Sequence, residues 1–179
     1  MGTVKVHLFT TVDGVVDVPT WTAPYGFPDD LAAAIGALTA GASGILLGRR
    51  TYEMFAPAWS TRTAADDPGA PFFNETPKYV VAGRAPTAEW APTTVLAGYD
   101  PDRIRALKAE GDLYVSGSAT LVRALLADGL VDELHQFVYP VAVGTGFRLF
   151  PEGSLQTTLS LLSAHRLSNG VAHLVHGPA

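Results

Sequence analysis

The sequence predicts an α/β fold: a mixed sheet of about eight strands, mostly parallel with an antiparallel C-terminal hairpin, and helices on both faces. Short apolar runs alternate with segments of helical spacing through the first part of the chain, which is typical of parallel strands joined by helices. Near the end, Ser168-Asn169-Gly170 separates two strand-like segments and predicts a hairpin. A length of 179 residues without a linker or repeat is most simply one domain, residues 1–179.

The first elements are a strand, a long irregular stretch and a helix. Val4–Thr10 has the composition of a strand, and Thr11–Gly26 contains the turn residues of a loop. A helix follows, because apolar residues then recur every three or four positions. These residues are Phe27, Leu31, Ile35 and Leu38. Pro28 and Gly41 mark its two ends, since proline favours the first helical position and glycine stops a helix.

The next elements are a buried strand, a short helix and a second irregular stretch. Gly44–Leu47 is too short and too apolar to have an exposed face. We expect a helix over Arg50–Ala56, ended by Pro57. Ala58–Pro77 is rich in Pro, Asp and Thr. Because loops longer than about 12 residues are usually functional or disordered, we expect both irregular stretches to form the walls of an active-site cleft.

The remaining elements follow from the same two periodicities and from glycine and proline stops. Strands are predicted at Lys78–Ala82, Thr93–Leu96, Leu113–Ser116, Glu133–Pro140, Leu155–Arg166 and Val171–Val175. Helices are predicted at Asp100–Glu110 and Ser118–Asp128.

Composition limits the partners of this protein. Charged residues make up only 16% of the chain, against a usual share of roughly 25%, so we expect a homodimer that hides apolar surface. A net charge of −5 argues against nucleic acid or an anionic membrane as a partner, because binding phosphates requires a basic patch. There is no cysteine, and the histidines lack the spacing and carboxylate support of a metal site, so no metal is expected. Without a targeting signal, the expected location is cytoplasmic.

Two strand-to-helix turns carry the strongest functional signal. In both Gly44–Glu53 and Leu113–Leu121, an apolar strand meets a glycine, and a polar residue then opens a helix. The first turn of a helix has unpaired N–H groups, which attract anions, and Arg49 and Arg50 add positive charge at one of the two turns. Two such sites in one chain indicate a ligand with several phosphates, and a dinucleotide fits that description.

The same turns, with two further motifs, resemble the dihydrofolate reductase superfamily. The motifs are Gly48-Arg49-Arg50-Thr51-Tyr52-Glu53, Lys78–Arg84, Gly111–Ser118 and Val131–Pro151. The last of these is more similar to the RibD C-terminal reductase domain of riboflavin biosynthesis than to true dihydrofolate reductase. The resemblance implies NADPH as cofactor, a cleft that splits the sheet, and hydride transfer to a pterin- or pyrimidine-like substrate, such as the ribosylaminopyrimidine of riboflavin synthesis.

The resemblance also implies which residues contact the cofactor. Phosphate contacts fall on Gly48, Arg49, Arg50 and Thr51, on Gly83 and Arg84 beside the adenosine 2′-phosphate, and on Gly117, Ser118, Ala119 and Thr120 at the pyrophosphate. Gly144 and Gly146 are further candidates. Several of these residues have an alternative interpretation. The arginines are then solvated residues, Ser118 is an ordinary N-cap, and Gly144 and Gly146 are turn residues. Gly117-Ser118 also departs from the glycine pair typical of the family, and Ala82-Gly83 departs from a strand end that usually carries a hydroxyl.

Three aspartates are candidates for proton donation or for holding the substrate ring: Asp30, Asp13 and Asp29. In true dihydrofolate reductases a carboxylate on the first long helix holds the pterin, and Phe27–Leu31 matches that helix loosely. The alternative is that Asp29 and Asp30 complement a helix N-terminus and that Asp13 forms a turn.

Aromatic residues beside the two irregular stretches suit a flat heterocycle, although aromatics at such positions also form core. The substrate-binding candidates are Trp21, Phe27, Tyr52 and Phe55. Two alternatives to a riboflavin-type reductase stay open: a true dihydrofolate reductase, and a nucleotide-binding regulatory or resistance-associated protein without catalysis.

Overall fold

A computed structural model describes residues 2–179 and contains one eight-stranded sheet. The strands are β1 Val4–Thr11, β2 Ala42–Gly48, β3 Lys78–Ala82, β4 Thr93–Ala97, β5 Asp112–Ser116, β6 Glu133–Tyr139, β7 Leu159–Arg166 and β8 Ala172–Pro178. Their order is β4-β3-β2-β5-β1-β6-β8-β7. The first six strands pair in parallel, whereas β8 is antiparallel to both β6 and β7. The predicted fold class is therefore confirmed.

Five α-helices and one 3-10 helix connect the strands. They are the 3-10 helix Thr20–Tyr25, α1 Asp29–Thr39, α2 Arg49–Trp59, α3 Ala70–Glu75, α4 Pro101–Glu110 and α5 Ala119–Ala127. The 3-10 helix and α3 lie in the stretches predicted to be irregular. The prediction that Pro57 ends α2 is wrong, because α2 continues to Trp59. Proline lacks the N–H that would bond to the carbonyl of Glu53, and the helix ends two residues after it.

The core lies on both faces of the sheet, because each central strand is buried on both sides. Val4, Val6 and Leu8 of β1 pack against α4 and α5, in one cluster. Ile45 and Leu47 of β2 belong to the second cluster, on the opposite face, with α1, α2 and α3. Strands buried in this way need apolar residues at consecutive positions, which is why periodicity of two is absent from Gly44–Leu47.

The short helix α3 is held in place by a buried lysine. Lys78 is 0% exposed, and its Nζ donates to the carbonyls of Phe73 at 2.8 Å, Asn74 at 3.1 Å and Thr76 at 3.0 Å. These carbonyls lie at the C-terminal end of α3, where a helix leaves its acceptors unpaired and favours a cation. The ammonium also lies 4.4 Å from the centre of the Trp90 ring. Lys78 therefore fixes α3, which forms one wall of the cleft described below.

The last part of the chain forms an exposed edge. Leu155–Arg166 was predicted as one strand, but β7 begins only at Leu159. Leu161 and Leu162 on β7 are 60% and 57% exposed, so both faces of this edge strand present leucine to solvent. Among residues 2–179, no helix has the length and apolar character needed to cross a membrane.

Candidate functional site

The two glycine turns lie side by side and are bonded to each other. Strands β2 and β5 are parallel neighbours, so Gly48, the last residue of β2, and Gly117, which follows β5, reach the same edge of the sheet. The backbone N–H of Gly48 donates to Ser118 Oγ at 3.0 Å. The backbone N–H of Ser118 donates to Thr51 Oγ1, also at 3.0 Å. The starts of α2 and α5 are therefore held in one fixed arrangement.

Ser118 has an unusual backbone conformation that explains this connection. It has a φ of +54°, and Gly117 before it has a φ of +55°, so two successive residues are left-handed. In this conformation the Ser118 hydroxyl donates to the carbonyl of Ser116 at 3.0 Å and caps no N–H of its own helix. The interpretation of Ser118 as an ordinary N-cap is therefore wrong. Its side chain joins the two turns instead.

The first turns of α2 and α5 carry no side-chain cap. In contrast, α4 is capped by Asp100, whose Oδ1 accepts from the N–H groups of Asp102 at 3.0 Å and Arg103 at 3.2 Å. Uncapped N–H groups at a helix start need another partner and carry the positive end of the helix dipole. Such a start can bind an anion without further side chains.

A cleft of about 640 Å³ opens beside these helix starts, between them and the walls formed by α1, α2 and α3. Eight of the residues predicted for cofactor or substrate binding line it: Arg50, Thr51, Gly117, Ser118, Ala119, Thr120, Phe27 and Phe55. Gly48 does not line the cleft but adjoins Ser118, which does: a Cβ built on Gly48 would stand 3.7 Å from Ser118 Oγ. The structure thus brings both glycine turns to one cavity.

The three predicted arginines have different surroundings. Arg50 lines the cleft with 80% of its side chain exposed, and its Nη2 lies 3.5 Å from Asp17 Oδ1. Arg49 instead donates to both carboxylate oxygens of Glu53, each at 3.1 Å. The hydrogen bond from the backbone N–H of Thr87 is the main cause that holds the pKa of Glu53 below its usual value, and the charge of Arg49 lowers it further. Arg84 is exposed and has no ion-pair partner within 4.0 Å in the part of the chain described.

The remaining predicted glycines lie outside the main cleft. Gly83 is exposed after β3. Gly146 lines a second, shallower depression of about 510 Å³ together with Trp21 and Arg50. A Cβ on Gly146 would stand 2.6 Å from Val15 Cγ1, so close packing requires glycine there. Gly144 donates its N–H to Asp13 Oδ2 at 2.8 Å.

Asp13 does not line the cleft and instead organises a loop. Its carboxylate accepts from Thr11 Oγ1 at 2.5 Å and from the N–H of Gly144, while Arg148 Nε donates to its backbone carbonyl at 2.9 Å. The Thr11 hydroxyl is the main cause that lowers the pKa of Asp13. This carboxyl group is therefore ionised and occupied by protein donors.

Asp30 and Asp29 also lie away from the cleft. Asp30 accepts from the backbone N–H of Ser168 at 2.7 Å and from the Ser168 hydroxyl at 2.9 Å, and the N–H bond is the main cause that lowers its pKa. It thereby fastens the start of α1 to the C-terminal hairpin. Asp29 is exposed in the first turn of α1, where it complements the helix dipole. None of the three predicted aspartates lines the main cleft, and its acidic residues are Asp17 and Asp67.

The floor of the cleft contains a polar pair that sequence reasoning missed. His7 and Tyr114 both line the cleft, and His7 Nδ1 lies 2.8 Å from the Tyr114 hydroxyl. Burial, with smaller contributions from His135 and His173, lowers the pKa of His7 to about 3, so its imidazole is neutral at pH 7. Its Nε2 has no hydrogen-bond partner in the described residues. The available signal was a histidine alternating with Phe9 on the inward face of the first strand.

Of the predicted substrate contacts, two line the main cleft and two do not. Phe27 stands at its mouth, 61% exposed, and Phe55 is half-buried in the α2 wall. Tyr52 is only 1% exposed and packs against Trp90, with ring centres 5.9 Å apart. Trp21 contacts Tyr139 and belongs to the second depression. Within residues 2–179, no three His, Asp or Glu side chains are placed to hold a metal ion.

The sheet order and the paired glycine turns define an α/β protein of dihydrofolate-reductase-like architecture. Solved structures share this fold. A protein from Shewanella sp. PV-4 assigned to riboflavin biosynthesis superposes with a TM-score of 0.77 at 18% identity, over 99% of each chain. The Thermotoga maritima deaminase/5-amino-6-(5-phosphoribosylamino)uracil reductase has a TM-score of 0.68 at 15% identity, over 99% of this chain and 57% of that one. These identities are low and show the fold alone.

The sequence itself shows the family. Residues 2–173 match the RibD C-terminal domain, so the chain belongs to that family. A 65-residue segment is 31% identical to the uncharacterized protein YyaP of Bacillus subtilis strain 168, and this segment covers 36% of this chain and 35% of that protein. Family membership supports a reductase-like function on a small molecule.

Proposed function

We propose that this protein is an NADPH-dependent reductase that transfers a hydride to a flat pyrimidine- or pterin-like heterocycle, by the type of reaction that 5-amino-6-(5-phosphoribosylamino)uracil reductase performs. One observation carries the proposal: two uncapped helix starts, joined by Ser118 and Thr51, open into the same cleft. Helix starts with free N–H groups bind phosphates, so two starts beside one apolar cleft suit a ligand that combines a pyrophosphate with a flat ring.

The residues at these starts fit the phosphates of a dinucleotide. At the start of α5, the N–H groups of Ala119 and Thr120 are left without a side-chain cap, and both residues line the cleft. Gly117 has a φ of +55°, a backbone conformation that favours glycine, and so lets the strand turn directly into α5. We propose that Ala119 and Thr120 bind the pyrophosphate and that Arg50 and Thr51 bind phosphate oxygens from the α2 side.

The adenosine 2′-phosphate would lie at the ends of β2 and β3, which are neighbours in the sheet. Arg84 follows β3 after Gly83 and has no acidic partner in the described residues, so its charge is available for a phosphate. Arg49 is already paired with Glu53. We therefore propose that Arg84 and Arg50, rather than Arg49, favour NADPH over NADH. Gly144 and Gly146 would act by shaping the loop that faces Arg50.

When bound, NADPH would supply the hydride. The protein would supply orientation and a dry environment, which is most of what hydride transfer requires. Phe55, Trp59 and Phe72 line the cleft and would exclude water from the reacting ring. Asp13, Asp29 and Asp30 lie outside this cleft, and we propose that they stabilise loops and the start of α1 rather than donate a proton.

Titration with NADPH and with NADH tests the cofactor proposal, with nicotinamide fluorescence as the signal. A charge-assisted hydrogen bond contributes about 1.5–3 kcal/mol, so one or two arginines on the 2′-phosphate favour NADPH by roughly tenfold to several hundredfold. Equal and millimolar affinities for both nucleotides would contradict the proposal. Binding of NADPH without turnover of any heterocycle would favour a non-catalytic binding protein, and a steady-state assay with dihydrofolate would identify a true dihydrofolate reductase.

We further propose that the protein is a homodimer joined through β7. This strand is the outer edge of the sheet, and Leu161 and Leu162 are exposed on its two faces. An exposed apolar edge strand is a template for pairing with another chain, because its outer backbone N–H and C=O groups are unpaired. Light scattering after gel filtration should give twice the monomer mass. Leu161→Glu should shift this mass to that of the monomer, and Val95→Glu on β4, the opposite edge of the sheet, is its matched control.

A further inference from the structure

The cleft reaches both faces of the sheet. Strand β1 pairs with β5 only over residues 4–7, and β5 ends at Ser116, whereas β1 continues to Thr11. Three consecutive residues of β1 line the cleft beside this point: His7, Leu8 and Phe9. Because successive side chains of a strand point to opposite faces, Leu8 lines one side of the cleft and its two neighbours line the other.

The two sides of the cleft belong to different apolar clusters. Leu8 and Ala119 are buried in the first cluster, and the half-buried Val16 and Phe147 pack against it. These four residues line the cleft, and we name them the α5 side, because Ala119 is the first residue of α5. The aromatic wall on α2 and α3 belongs to the second cluster. Among the described residues that line the cleft, Phe147 is the one aromatic side chain of the first cluster.

The order of the strands assigns the α5 side to one end of a dinucleotide. Strands β3, β2, β5 and β1 follow one another across the sheet. The proposed function places the adenosine 2′-phosphate at the ends of β2 and β3, and the pyrophosphate at the start of α5, directly after β5. The nicotinamide riboside is attached to the other end of the pyrophosphate. An extended dinucleotide that continues in the same direction reaches β1, where Leu8, Val16 and Phe147 line the cleft.

The segment that carries Phe147 is fixed against the first loop of the chain. The carbonyl of Phe147 accepts from the N–H of Val16 at 2.7 Å. The next residue, Arg148, forms an antiparallel bridge with Val15. Leu149 is 2% exposed and belongs to the first cluster. The backbone of this segment therefore has a defined place beside the cleft.

Arg123 of α5 contacts the ring of Phe147 and the two residues after it. Its guanidinium lies 4.3 Å from the centre of the Phe147 ring. Nε donates to the carbonyl of Leu149 at 2.8 Å, and Nη2 donates to the carbonyl of Arg148 at 2.7 Å. Arg123 is half-buried and does not line the cleft. Because the guanidinium occupies one face of the ring, the cleft meets the other face or the edge of Phe147.

We infer that Phe147 contacts the nicotinamide ring of the bound cofactor and that Arg123 is its positioning residue. The inference rests on the proposed function, since it assigns a ring contact to the same dinucleotide. The alternative is that Arg123 and Phe147 only fasten this segment to α5. The two interpretations differ in which part of the cofactor loses affinity when either side chain is changed.

Two nucleotides separate the ring contact from the phosphate contacts in calorimetric titrations. NADPH carries the nicotinamide, whereas 2′-phospho-ADP-ribose has the same adenosine and phosphates without it. Phe147→Ala should weaken NADPH about fivefold or more, because an aromatic contact is lost. It should leave 2′-phospho-ADP-ribose within about twofold, because the phosphate contacts are separate from this ring. Phe150→Ala is the matched control, since Phe150 lies in the same segment, is 43% exposed and does not line the cleft.

Two variants of Arg123 test the positioning role. Arg123→Met has a similar length without a donor or charge, and it should weaken NADPH about threefold or more and spare 2′-phospho-ADP-ribose. Arg123→Lys should restore part of this loss, because an ammonium also interacts with an aromatic ring. Arg123→Met combined with Phe147→Ala should weaken NADPH no more than Phe147→Ala alone, since Arg123 acts through that ring.

Equal losses for both nucleotides in Phe147→Ala, or no loss for either, overturn the inference. Additive losses in the double variant overturn the positioning role of Arg123. If the unchanged protein binds 2′-phospho-ADP-ribose as tightly as NADPH, the nicotinamide has no contact, and the inference fails while the phosphate sites of the proposed function stand. If the unchanged protein binds neither nucleotide, the proposed function fails as well.

Discussion

The hydroxyl of Ser118 offers the most direct test of how the two glycine turns are joined. Ser118→Ala removes the acceptor of the Gly48 N–H and the donor to the Ser116 carbonyl, both at 3.0 Å. Each bond contributes about 0.5–1.5 kcal/mol, so the variant should lose about 1–3 kcal/mol of unfolding free energy. Ser118→Gly loses the same bonds, but glycine adopts the φ of +54° without steric cost. We expect it to be about 1 kcal/mol more stable than the alanine variant.

Urea denaturation measures both differences as shifts of the midpoint at constant m-value. Thr51→Val, which keeps the shape of the side chain but removes the acceptor of the Ser118 N–H, is a matched control that should cost about 1 kcal/mol. NADPH affinity should fall in Ser118→Ala, because the start of α5 would lose its fixed position beside α2. If Ser118→Ala and Ser118→Gly are equally stable, or neither is destabilised, the link between left-handed backbone and joined turns is refuted.

Three further predictions concern charges. Arg50→Gln should weaken NADPH at least tenfold and leave NADH within about threefold, because one charge-assisted contact contributes about 1.5–3 kcal/mol, and equal losses for both nucleotides would contradict this role. Asp13→Asn should lower the thermal midpoint at pH 7 more than at pH 3, because a carboxyl group with a lowered pKa stabilises the fold only when it is ionised. Turnover per folded molecule should stay unchanged, because Asp13 lies outside the cleft. His7 has a pKa of about 3 in the folded protein and 6.5 when unfolded. Between these two values unfolding takes up one proton at His7. The free energy of unfolding therefore falls by about 1.4 kcal/mol for each pH unit that the pH is lowered. In urea titrations at pH 6.0, 5.0 and 4.5, His7→Gln should reduce the pH dependence of the unfolding free energy by the share of one proton. An unchanged pH dependence would show that His7 is already protonated in the folded protein.

The strands were predictable because their signals are local. Lys78–Ala82 was predicted with the bounds that the structure has, since Pro77 before it and Gly83 after it delimit a short apolar run. Helix α3 was missed for the opposite reason. Its six residues include a proline and two phenylalanines, and it depends on the Lys78 ammonium and on Phe73 stacked 4.2 Å from Trp59.

The residues of the site also divide into those that local sequence predicts and those that it does not. Both glycine turns were predictable, because strand, glycine and helix start are consecutive in the chain. The roles of Asp13 and Asp30 were not, because each carboxylate also accepts from a backbone N–H that is distant in sequence. Ser168 is 138 residues from Asp30, and Gly144 is 131 residues from Asp13. Nothing near an aspartate in the sequence distinguishes an available carboxylate from one already bonded.

The sequence by itself determined the class of the sheet, the two glycine turns that open helices, and the resemblance that the RibD C-terminal family match bears out. Only the tertiary structure decided that Ser118 joins those two helix starts, that His7 and Tyr114 form a polar pair in the cleft, and that Asp13 and Asp30 are bonded outside it. The physical reason is the range of the interactions. Periodicity and turn chemistry act over a few residues, whereas hydrogen-bond partners, burial and the charge of a cavity depend on segments that only folding brings together.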